Sequence, residues 1–307
     1  MIYINGKKNL KILITGSAGF IGSALKDYLS DNKIEVISFD IKDDPKYDVR
    51  DFEMVNKYAS DVRGIVHLAA VSRVITAQEQ PHECITTNIG GVSNVLEAAR
   101  TNNNHPWIIF GSSREVFGEP EILPVTENSP KKPINIYGLS KITGERLCET
   151  YTKYYGLKIR ILRFSNVYTG VKDHMDRVIP KFILRALNDQ DLYINGSGEE
   201  QFDFTYISDT INGVWGCIKE IETSKSPLND FNLSIGTPVS LKQLAETIIQ
   251  KTESKSDIRF NESRNYDVNH FYASPEKAMK FLGFKPKITI DEGIELAIKE
   301  LKGLKKQ

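Results

Sequence analysis

The sequence predicts an α/β protein built on a doubly wound parallel sheet, with a smaller, partly interleaved C-terminal domain. Within the first 165 residues, short apolar runs rich in Ile and Val alternate with longer amphipathic segments, and the runs lack polar alternation. Runs of this kind are typical of parallel strands that helices cover on both faces. The length of 307 residues, at roughly 150 residues per domain, predicts about two domains.

The elements of the first part follow in order along the chain. Apolar runs predict strands at residues 11–15, 35–39, 64–68, 107–110 and 158–163. Amphipathic patterns between them predict helices at residues 21–30, 87–101 and 138–155. This strand–helix–strand order implies right-handed crossovers, and therefore helices on both faces of the sheet.

Beyond Asn166 the pattern is more mixed. It predicts helices at residues 178–188, 209–221 and 240–251, strands at 203–207 and around 258–260, and two terminal helices. Residues 230–235 are expected to return to the main sheet. We therefore divide the chain into a first domain, residues 1–166 with 203–236 returning to it, and a smaller domain of residues 167–202 and 237–307. The tail, with Lys302, Lys305 and Lys306, is typical of a solvent-exposed helix end.

The composition excludes several classes of protein. Forty Lys and Arg offset forty Asp and Glu, so the formal net charge is zero, and bulk attraction to nucleic acid or to an anionic membrane is not expected. The three cysteines (Cys84, Cys148, Cys217) form no CxxC pair and are expected to be reduced core thiols, and no cluster has metal-ligand spacing. No apolar run approaches the roughly 18 residues of a membrane helix, and the N-terminal residues lack the apolar core of a signal peptide. We expect a cytoplasmic enzyme or binding protein without a metal.

A glycine-rich loop follows the first predicted strand. Gly16, Gly19 and Gly22 are spaced by three within the segment Gly16-Ser17-Ala18-Gly19-Phe20-Ile21-Gly22, which allows a tight turn and close approach of backbone N–H groups to a pyrophosphate. Asp40 ends the second strand, 18 residues after Gly22. A carboxylate there suits the ribose hydroxyls of NAD and repels the 2′-phosphate of NADP. The sequence therefore predicts a Rossmann-like site for NAD, with Lys42 as the one discordant charge.

Tyr137 and Lys141 are four residues apart and share one face of a predicted helix. A phenol with a pKa near 10 needs help to act as a base at neutral pH, and a neighbouring ammonium group favours the phenolate. A tyrosine and a lysine at this spacing are often only two solvent-facing residues of a helix, without a catalytic role. Here it follows a loop at the end of the fourth strand, and on a doubly wound sheet such loops carry ligand chemistry.

With these motifs in place, the sequence resembles the extended short-chain dehydrogenases/reductases, and among them the NAD-dependent nucleotide-sugar epimerase/dehydratase family. The resemblance covers nearly the whole chain. It rests on GSAGFIG at 16–22, Asp40, DVRD at 48–51, HLAA at 67–70, Asn88, SSREVFG at 112–118, YGLSK at 137–141, RFSNVY at 163–168, and Phe204-Thr205-Tyr206 before Asp209.

The resemblance implies a role for each matching residue. Tyr137 would take a sugar hydroxyl proton, Lys141 would bond the nicotinamide ribose, and Ser113 would bond the same sugar oxygen as Tyr137. The implied cofactor site consists of Gly16, Gly19, Phe20, Ile21, Gly22, Asp40, Ile41, Asp48, Val49, Leu68, Ala69, Ala70, Asn88, Tyr137, Lys141 and Phe164. The resemblance implies contacts to a nucleotide-diphosphate sugar from Ser113, Asn166 and Arg264, and we add Arg114, Arg177 and Val178 as further candidate substrate contacts. The resemblance also implies a homodimer, formed by the helices around residues 88–100 and 138–155.

Glu115 and Arg114 bear on which reaction is catalysed. In the dehydratases and decarboxylases that the sequence resembles, a Glu stands at the position of Glu115, where it could abstract the C5 proton of the sugar. The 4,6-dehydratases place an Asp before it as an acid; this chain has Arg114, and a guanidinium does not give up its proton in proteins. Arg114 is interpreted either as a ligand of a sugar carboxylate or as the partner of Glu115 in a local ion pair.

This sequence also departs from the family at residues expected to contact the diphosphate of the substrate. Phe202 stands where the family commonly has an arginine, and Thr169 breaks the usual Tyr-Gly pair. Arg264 matches the family's other diphosphate arginine, and Arg177 could compensate for the missing one. Arg73 is interpreted as a solvent-facing arginine that could also reach the substrate.

The leading hypothesis is an NAD-dependent nucleotide-sugar 4-epimerase that acts through a transient 4-keto sugar, with Ser113, Tyr137 and Lys141 as the catalytic set. The alternatives are a dehydratase or uronate decarboxylase that uses Glu115, and a 4-dehydrogenase that releases the keto sugar. A non-catalytic NAD-binding sensor or partner protein stays open as well, because a fold alone does not prove chemistry.

Overall fold

The computed structural model describes residues 10–304. The predictions for residues 1–9, which belong to the segment compared with a signal peptide, and for Lys305 and Lys306 lie outside the described residues.

Strands and helices are numbered here along the chain. The strands are β1 (Lys11–Thr15), β2 (Glu35–Phe39), β3 (Gly64–His67), β4 (Trp107–Ser113), β5 (Ile159–Phe164), β6 (Asn166–Tyr168), β7 (Leu192–Asn195), β8 (Gln201–Phe202), β9 (Phe204–Tyr206), β10 (Leu228–Leu233), β11 (Val239–Ser240), β12 (Ile258–Asn261) and β13 (His270–Phe271). The helices are α1 (Phe20–Asp31), α2 (Phe52–Ala59), α3 (Val74–Glu79), α4 (Pro81–Ile85), α5 (Gly91–Thr101), α6 (Ile136–Tyr155), α7 (Val178–Ala186), α8 (Ile207–Thr223), α9 (Leu241–Thr252), α10 (Glu276–Leu282) and α11 (Ile290–Leu304). A π-helical turn (Thr86–Gly90) precedes α5, and a 3-10 turn (Arg114–Phe117) follows β4.

The central sheet has six strands in the order β10-β5-β4-β3-β1-β2, and every neighbouring pair is parallel. The strand order reverses between β1 and β3, so their carboxyl ends border the crevice where doubly wound sheets bind ligands. The predicted fold class is confirmed. The strand expected at residues 230–235 pairs with β5 as β10.

The two faces of the sheet bury separate apolar layers because alternate side chains of each strand point in opposite directions. On β1, Ile12 and Ile14 pack with α1 and α8, whereas Leu13 packs with α2 and α5. All three side chains are fully buried. The uninterrupted apolar runs that predicted parallel strands are explained by this double cover.

Several elements that follow Asn166 form a third apolar cluster. Phe182 and Ile183 of α7 pack there with residues of β7, β9, α9 and α11. The part of the chain after β5 also forms three small sheets, with the strand orders β11-β8-β13, β12-β7 and β6-β9. The division of the chain into two domains stays a proposal.

Several elements differ from the sequence prediction. The helix predicted at residues 87–101 begins with the π-helical turn, and the strand predicted at 203–207 is shortened to β9, because Asp203 separates it from β8 and Ile207 begins α8. Asp203 is fully buried and accepts hydrogen bonds from Ser165, Ser234 and the backbone of Ala273, so it leaves the regular strand pattern. Helices α2, α3 and α4 were not predicted because each is short.

Candidate active site

A cavity of about 700 Å³ opens at the carboxyl ends of the central strands, between the sheet and the cluster around α7. Residues at four strand ends line it, namely Gly16 after β1, Leu68 after β3, Ser113 on β4 and Phe164 on β5. With one exception, Asn88, every cofactor, catalytic and substrate residue predicted above lines this cavity. The structure therefore brings together residues as distant in sequence as Gly16 and Arg264, which are about 250 positions apart.

The glycine loop forms a close-fitting cradle at one end of the cavity. Gly16 has φ +74°, and a Cβ atom there would lie 2.6 Å from the backbone nitrogen of Ala69. A Cβ atom on Gly22 would lie 2.0 Å from the carbonyl oxygen of Gly16. Gly19 caps α1 without a side-chain hydrogen bond, and the first turn of α1 has no acidic residue. The N–H groups in the first turn of this helix are therefore not capped by a side chain and are suited to an anion.

Asp40 lies at the end of β2, next to this loop. Its carboxylate is largely buried and accepts the backbone N–H groups of Ala18, at 3.0 Å, and Lys42, at 2.9 Å. The carboxylate thus links the glycine loop to the segment that follows β2. Asp48, farther along the same wall, is paired with Arg50 at 2.6 Å, and this guanidinium lowers the pKa of the Asp48 carboxyl.

Asn88 does not line the cavity, in contrast to its predicted role in cofactor binding. Its Oδ1 accepts the backbone N–H of Val71 at 2.8 Å, and its Nδ2 donates to Ser140 Oγ at 2.9 Å. The side chain is buried in these contacts because the π-helical turn directs it between the loop after β3 and helix α6. Asn88 therefore holds the walls of the cavity together.

Tyr137 and Lys141 lie in the first turns of α6. The helix is capped by Asn135, whose Oδ1 accepts the backbone N–H of Gly138 at 2.8 Å. Lys141 Nζ donates to the carbonyl oxygen of Gly111 at 2.8 Å and lies 5.8 Å from the centre of the Tyr137 ring. Both groups face the cavity from one side of the helix, as the four-residue spacing predicts.

Burial controls the ionisation of both groups. It lowers the pKa of Lys141 to about 8, against the opposing effect of Cys84 and Glu145. Burial raises the pKa of Tyr137, while a hydrogen bond with Ser113 acts in the opposite direction. Desolvation disfavours the charged form of each group. A cation next to the phenol would therefore be needed to produce the phenolate near neutral pH.

Arg114 and Glu115 form an ion pair in the 3-10 turn after β4. Arg114 Nη2 lies 2.9 Å from Glu115 Oε1, and Glu115 Oε2 accepts a hydrogen bond from Asn135 Nδ2 at 2.8 Å. Arg114 Nε donates to Asn166 Oδ1 at 3.2 Å, and the guanidinium stacks on Phe202, 4.9 Å from the ring centre. Both oxygens of Glu115 are thus occupied by neighbouring side chains.

The two other predicted substrate arginines are also held by carboxylates. Arg177 Nη1 donates to Asp173 at 3.1 Å, and Arg264 donates to Asp267 through Nε at 2.7 Å. Both line the cavity, as does Val178 at the start of α7. Local acidic partners therefore position these two arginines.

Some residues of the cavity were not singled out by the sequence, among them Asp176. It pairs with Arg73, which the sequence left either facing solvent or reaching the substrate; Nη1 and Oδ1 are 2.5 Å apart, and both residues line the cavity. No spacing rule links these two positions. Tyr193 and Asn195 line the cavity from β7, while Leu192 and Ile194 are buried. The alternation along this short strand is a signal that could have indicated them.

In residues 10–304, no group of three or more His, Cys, Asp and Glu side chains could hold a metal ion. None of the helices within that range has the length and apolar character needed to cross a membrane. The three cysteines are buried and unpaired, as expected.

Comparison with known proteins gives consistent matches. The family model described as "NAD dependent epimerase/dehydratase family" matches residues 12–234. A protein of Methanocaldococcus jannaschii named "Putative UDP-glucose 4-epimerase" is 32% identical over 306 residues, which cover 95% of this chain and 98% of that protein. The UDP-glucuronic acid decarboxylase 1 of Xenopus tropicalis is 31% identical over 317 residues, which cover 96% of this chain and 73% of that protein.

Two solved structures are similar over almost the whole chain. The UDP-glucose 4-epimerase of Thermotoga maritima, solved with UDP-glucose, has a TM-score of 0.88 at 27% identity and covers 97% of this chain and 100% of its own. The UDP-glucuronic acid 4-epimerase of Bacillus cereus, solved with UDP-glucuronic acid and NAD, has a TM-score of 0.85 at 26% identity and covers 96% and 100%.

Proposed function

Because the chain belongs to the NAD-dependent epimerase/dehydratase family, as its motifs predict, we propose that it is a nucleotide-sugar 4-epimerase that works through a transient 4-keto sugar. Its substrate would be a nucleotide-diphosphate sugar, and its catalytic set Ser113, Tyr137 and Lys141. The family is NAD-dependent, in agreement with the predicted cofactor.

The residues of the cavity fit NAD. The glycine loop admits no Cβ at Gly16 or Gly22, because it packs tightly against Ala69 and against itself, and the N-terminus of α1 has no side-chain cap, so its N–H groups are suited to a pyrophosphate. Asp40 would contact the adenosine ribose and Lys141 the nicotinamide ribose. Asp48, Val49 and the wall from Leu68 to Ala70 would enclose the remainder. The bound cofactor would supply the hydride acceptor for the sugar carbon.

The protein's own contribution is proton transfer at the sugar C4 hydroxyl. Tyr137, as phenolate, would remove the hydroxyl proton while the C4–H bond breaks, and would give the proton back when the C4–H bond re-forms. The Lys141 ammonium would stabilise the phenolate, and Ser113 would hold the same sugar oxygen. Since the same proton and hydride are returned, the reaction is redox-neutral overall.

The occupied carboxylate of Glu115 is the observation that favours an epimerase over a dehydratase. Loss of water would need a base at C5 and an acid at the leaving hydroxyl. Glu115 is engaged through one oxygen by Arg114 and through the other by Asn135, and the preceding residue is an arginine that cannot supply a proton. Return of hydride to the opposite face of the keto sugar needs neither group.

The second candidate is a uronate decarboxylase. It is favoured by Arg114, a cation at the cavity wall, and by the similarity to the Xenopus decarboxylase. A 4-keto uronate is a β-keto acid, so it can release carbon dioxide and then take a proton at C5. This route requires no base at C5, and the occupied Glu115 does not oppose it.

The test is incubation of the purified protein with UDP-, dTDP- and GDP-sugars, neutral and acidic, with the products identified by NMR. Inversion at C4 without change in mass is expected. Loss of water or carbon dioxide, or net accumulation of NADH with release of a keto sugar, would replace the epimerase by one of the alternatives. Absence of turnover with the whole panel would favour a non-catalytic NAD-binding role.

A further inference from the structure

A buried hydrogen bond connects the turn after β4 to the start of α6, the helix that carries Tyr137. Glu115, in the 3-10 turn, is 5% exposed, and Asn135, the N-cap residue of α6, is 6% exposed. Glu115 Oε2 accepts the hydrogen bond from Asn135 Nδ2 at 2.8 Å. Because the two residues are 20 positions apart, this is a tertiary contact between the end of the strand and the first turn of the helix.

The partners of Asn135 fix the orientation of its side-chain amide. Its Nδ2 faces two acceptors, Glu115 Oε2 and the carbonyl oxygen of Tyr266, the latter at 3.2 Å. Its Oδ1 is therefore directed to the backbone N–H of Gly138, from which it accepts a hydrogen bond at 2.8 Å. A cap of this kind satisfies an N–H group that has no partner within the helix. The carboxylate of Glu115 thus helps to determine how the first turn of α6 is capped.

The two partners of the Glu115 side chain require a carboxylate. Oε1 lies 2.9 Å from Arg114 Nη2, and Oε2 accepts from Asn135, so both oxygens face donors. An ionised carboxylate only accepts hydrogen bonds, whereas the side chain of glutamine offers an oxygen and an NH2 group. In Glu115→Gln, one of the two buried donors would therefore face another donor. A buried donor without an acceptor is costly, so the side chains around it would rearrange.

The backbone of Glu115 also contacts the residues proposed for catalysis. Its N–H donates to Ser113 Oγ at 3.2 Å, and Ser113 is hydrogen-bonded to the phenol of Tyr137. Gly138 packs so closely on this turn that a Cβ atom there would lie 2.5 Å from the Glu115 carbonyl oxygen. The contacts that place the Ser113 hydroxyl beside the Tyr137 phenol therefore meet at Glu115.

We propose that Glu115 is a positioning residue which, through Asn135, holds the phenol of Tyr137 at the reacting sugar oxygen. It acts through the cap of α6 and transfers no proton itself. This inference rests on the proposed function, because it assumes that Tyr137 removes and returns the proton of the sugar hydroxyl. It gives a role to a buried carboxylate that the epimerase mechanism otherwise does not use.

The experiment is a double-mutant cycle with a charge-exchange variant. The single variants are Glu115→Gln, Asn135→Ala and Asn135→Asp, and Glu115→Gln is also combined with each of the other two. The substrate is the sugar that the unmodified protein converts fastest among the UDP-, dTDP- and GDP-sugars. The measured quantities are kcat, KM for the sugar and Kd for NAD. Glu121→Gln, which removes an exposed pair with Lys132 in the loop before α6, is the charge-matched control.

Glu115→Gln should lower kcat by about 10- to 100-fold, because a displacement of about 1 Å in a reacting group costs a factor of this order. KM for the sugar and Kd for NAD should change by less than about twofold, since their binding contacts lie elsewhere. Glu115→Gln combined with Asn135→Ala should have a kcat no lower than that of the slower single variant, because both changes break the same contact. The Glu121→Gln control should keep the original kcat.

Glu115→Gln combined with Asn135→Asp should recover part of the lost kcat. The NH2 group of the glutamine then donates to the aspartate, whose other oxygen still caps α6. The recovery is partial because the carbonyl oxygen of Tyr266 loses its donor. Asn135→Asp alone should be as slow as Glu115→Gln, since it places two carboxylates side by side. A residue that acts on the sugar as a base would not be replaced by a carboxylate at position 135.

Hydrogen exchange at the Gly138 amide gives a measurement that does not depend on turnover. It is followed by NMR with isotope-labelled glycine. In Glu115→Gln and in Asn135→Ala this amide should exchange at least about fivefold faster, which corresponds to the loss of about 1 kcal/mol from an N-cap. The charge-exchange variant should recover part of the protection.

Two results would overturn the proposal and leave the proposed function intact. One is an unchanged kcat in Glu115→Gln. The other is a loss of kcat in Glu115→Gln with Asn135→Ala that equals the product of the two single losses, which would mean that Glu115 acts on the sugar directly. If the unmodified protein converts no sugar, the proposed function fails. Unchanged exchange at Gly138 in Glu115→Gln would then overturn the positioning role as well.

Discussion

Lys141 is a cation held in an apolar setting beside the phenol that it is proposed to activate. Burial lowers its pKa to about 8, so the ammonium is present below pH 8 and is lost as the pH rises through that value. The neutral amine cannot stabilise a phenolate. The pKa of Lys141 thus lies only about one pH unit above neutral pH, and the side chain is positively charged there.

We therefore predict that kcat/KM for the sugar falls as the pH rises above about 8. In Lys141→Arg the rate should be lower throughout, but this alkaline decline should disappear, because a guanidinium stays protonated. The measurement is a pH–rate profile with NAD at saturation. A profile of the unmodified protein that stays flat up to pH 10 would contradict the assigned role.

Tyr137 is the proposed acid and base. Tyr137→Phe removes the phenolic oxygen with little change in shape, and we expect kcat to fall by about 10²- to 10⁴-fold while bound NAD is retained. Tyr154→Phe, on the exposed side of the same helix, is the matched control and should leave kcat unchanged. Turnover is followed by NMR and NAD content by absorbance. Normal turnover in Tyr137→Phe would remove this residue from the mechanism.

Sequence spacing was informative for residues that act through backbone shape or a shared helix face. The glycines at 16, 19 and 22, and the pair Tyr137 and Lys141, needed only local geometry. Asn88 was assigned to the cofactor, but its contacts depend on a π-helical turn that no pattern predicts. The engagement of Glu115 by Asn135, 20 residues away, likewise requires the folded chain.

At the scale of elements, α6 is fixed to the sheet by a buried ion pair. Glu145, one turn after Lys141, accepts two hydrogen bonds from Arg163 of β5, each at 2.8 Å, and one from Ser112 of β4. Glu145 is fully buried and Arg163 is almost so. The helix that carries Tyr137 and Lys141 is therefore tied directly to two central strands.

Glu145→Gln should lower the free energy of unfolding by about 3 kcal/mol, because it leaves a buried guanidinium without its main counter-charge. Asp230, 2.9 Å from Arg163 Nη1, keeps the loss at the lower end of the usual range. Urea denaturation measures the change. Glu149→Gln, in an exposed pair with Arg146 on the same helix, should change it by less than about 0.5 kcal/mol. Equal effects of the two substitutions would contradict the anchoring role.

Helices α5 and α6 are also the elements that we propose as the dimer interface. Leu139, Tyr154 and Tyr155 are among the exposed large apolar side chains and lie on α6. Tyr151 of α6 donates to Glu97 of α5 at 3.2 Å, so the two helices present one surface. Burial of exposed apolar groups would stabilise association.

Leu139→Glu should convert a dimer to a monomer, because it places a charge in that surface. Size-exclusion chromatography with light scattering gives the mass. Ile122→Glu, at an exposed apolar residue of the loop before α6, is the control and should stay dimeric. A monomeric unmodified protein would overturn the proposed interface.

The central strands were predicted to within a few residues because double burial imposes an apolar run on each of them. β4 extends to Ser113, three residues beyond its predicted end. Gly111 and Ser112 continue the pairing with β5, although neither has the apolar side chain on which the prediction depended. The short strands β6, β8, β11 and β13 escaped prediction. With two or three residues each, they contain no measurable periodicity.

Because the net charge of the whole molecule is zero, binding of an anionic cofactor, and of the proposed anionic substrate, depends on a few cations at the cavity. One of these, Arg73, spans the cavity. Its pair with Asp176 connects the loop after β3 to the loop before α7. Asp176 is mostly exposed, and an exposed pair contributes about 0–1 kcal/mol.

Arg73→Gln should therefore speed the release of bound NAD by no more than about fivefold, since 1.4 kcal/mol corresponds to a factor of ten. Stopped-flow displacement of NAD measures the rate. Arg259→Gln, which removes another exposed pair, should leave it unchanged. A hundredfold increase in the rate of NAD release would mean that the Arg73–Asp176 pair is part of a larger contact that closes the cavity. An unchanged rate would mean that the pair does not hold the cavity closed.

The pairing of β10 with β5 has a consequence for synthesis of the chain. The sheet receives its sixth strand only when residue 233 of 307 has been made. Until then a nascent chain exposes the unpaired N–H and C=O groups of β5, together with the apolar surface that Phe231 and Leu233 later cover. Open strand edges of this kind recruit other chains. A truncation after residue 166 would keep the whole glycine loop and the helix that carries Tyr137 and Lys141, and we expect it to produce an aggregation-prone fragment.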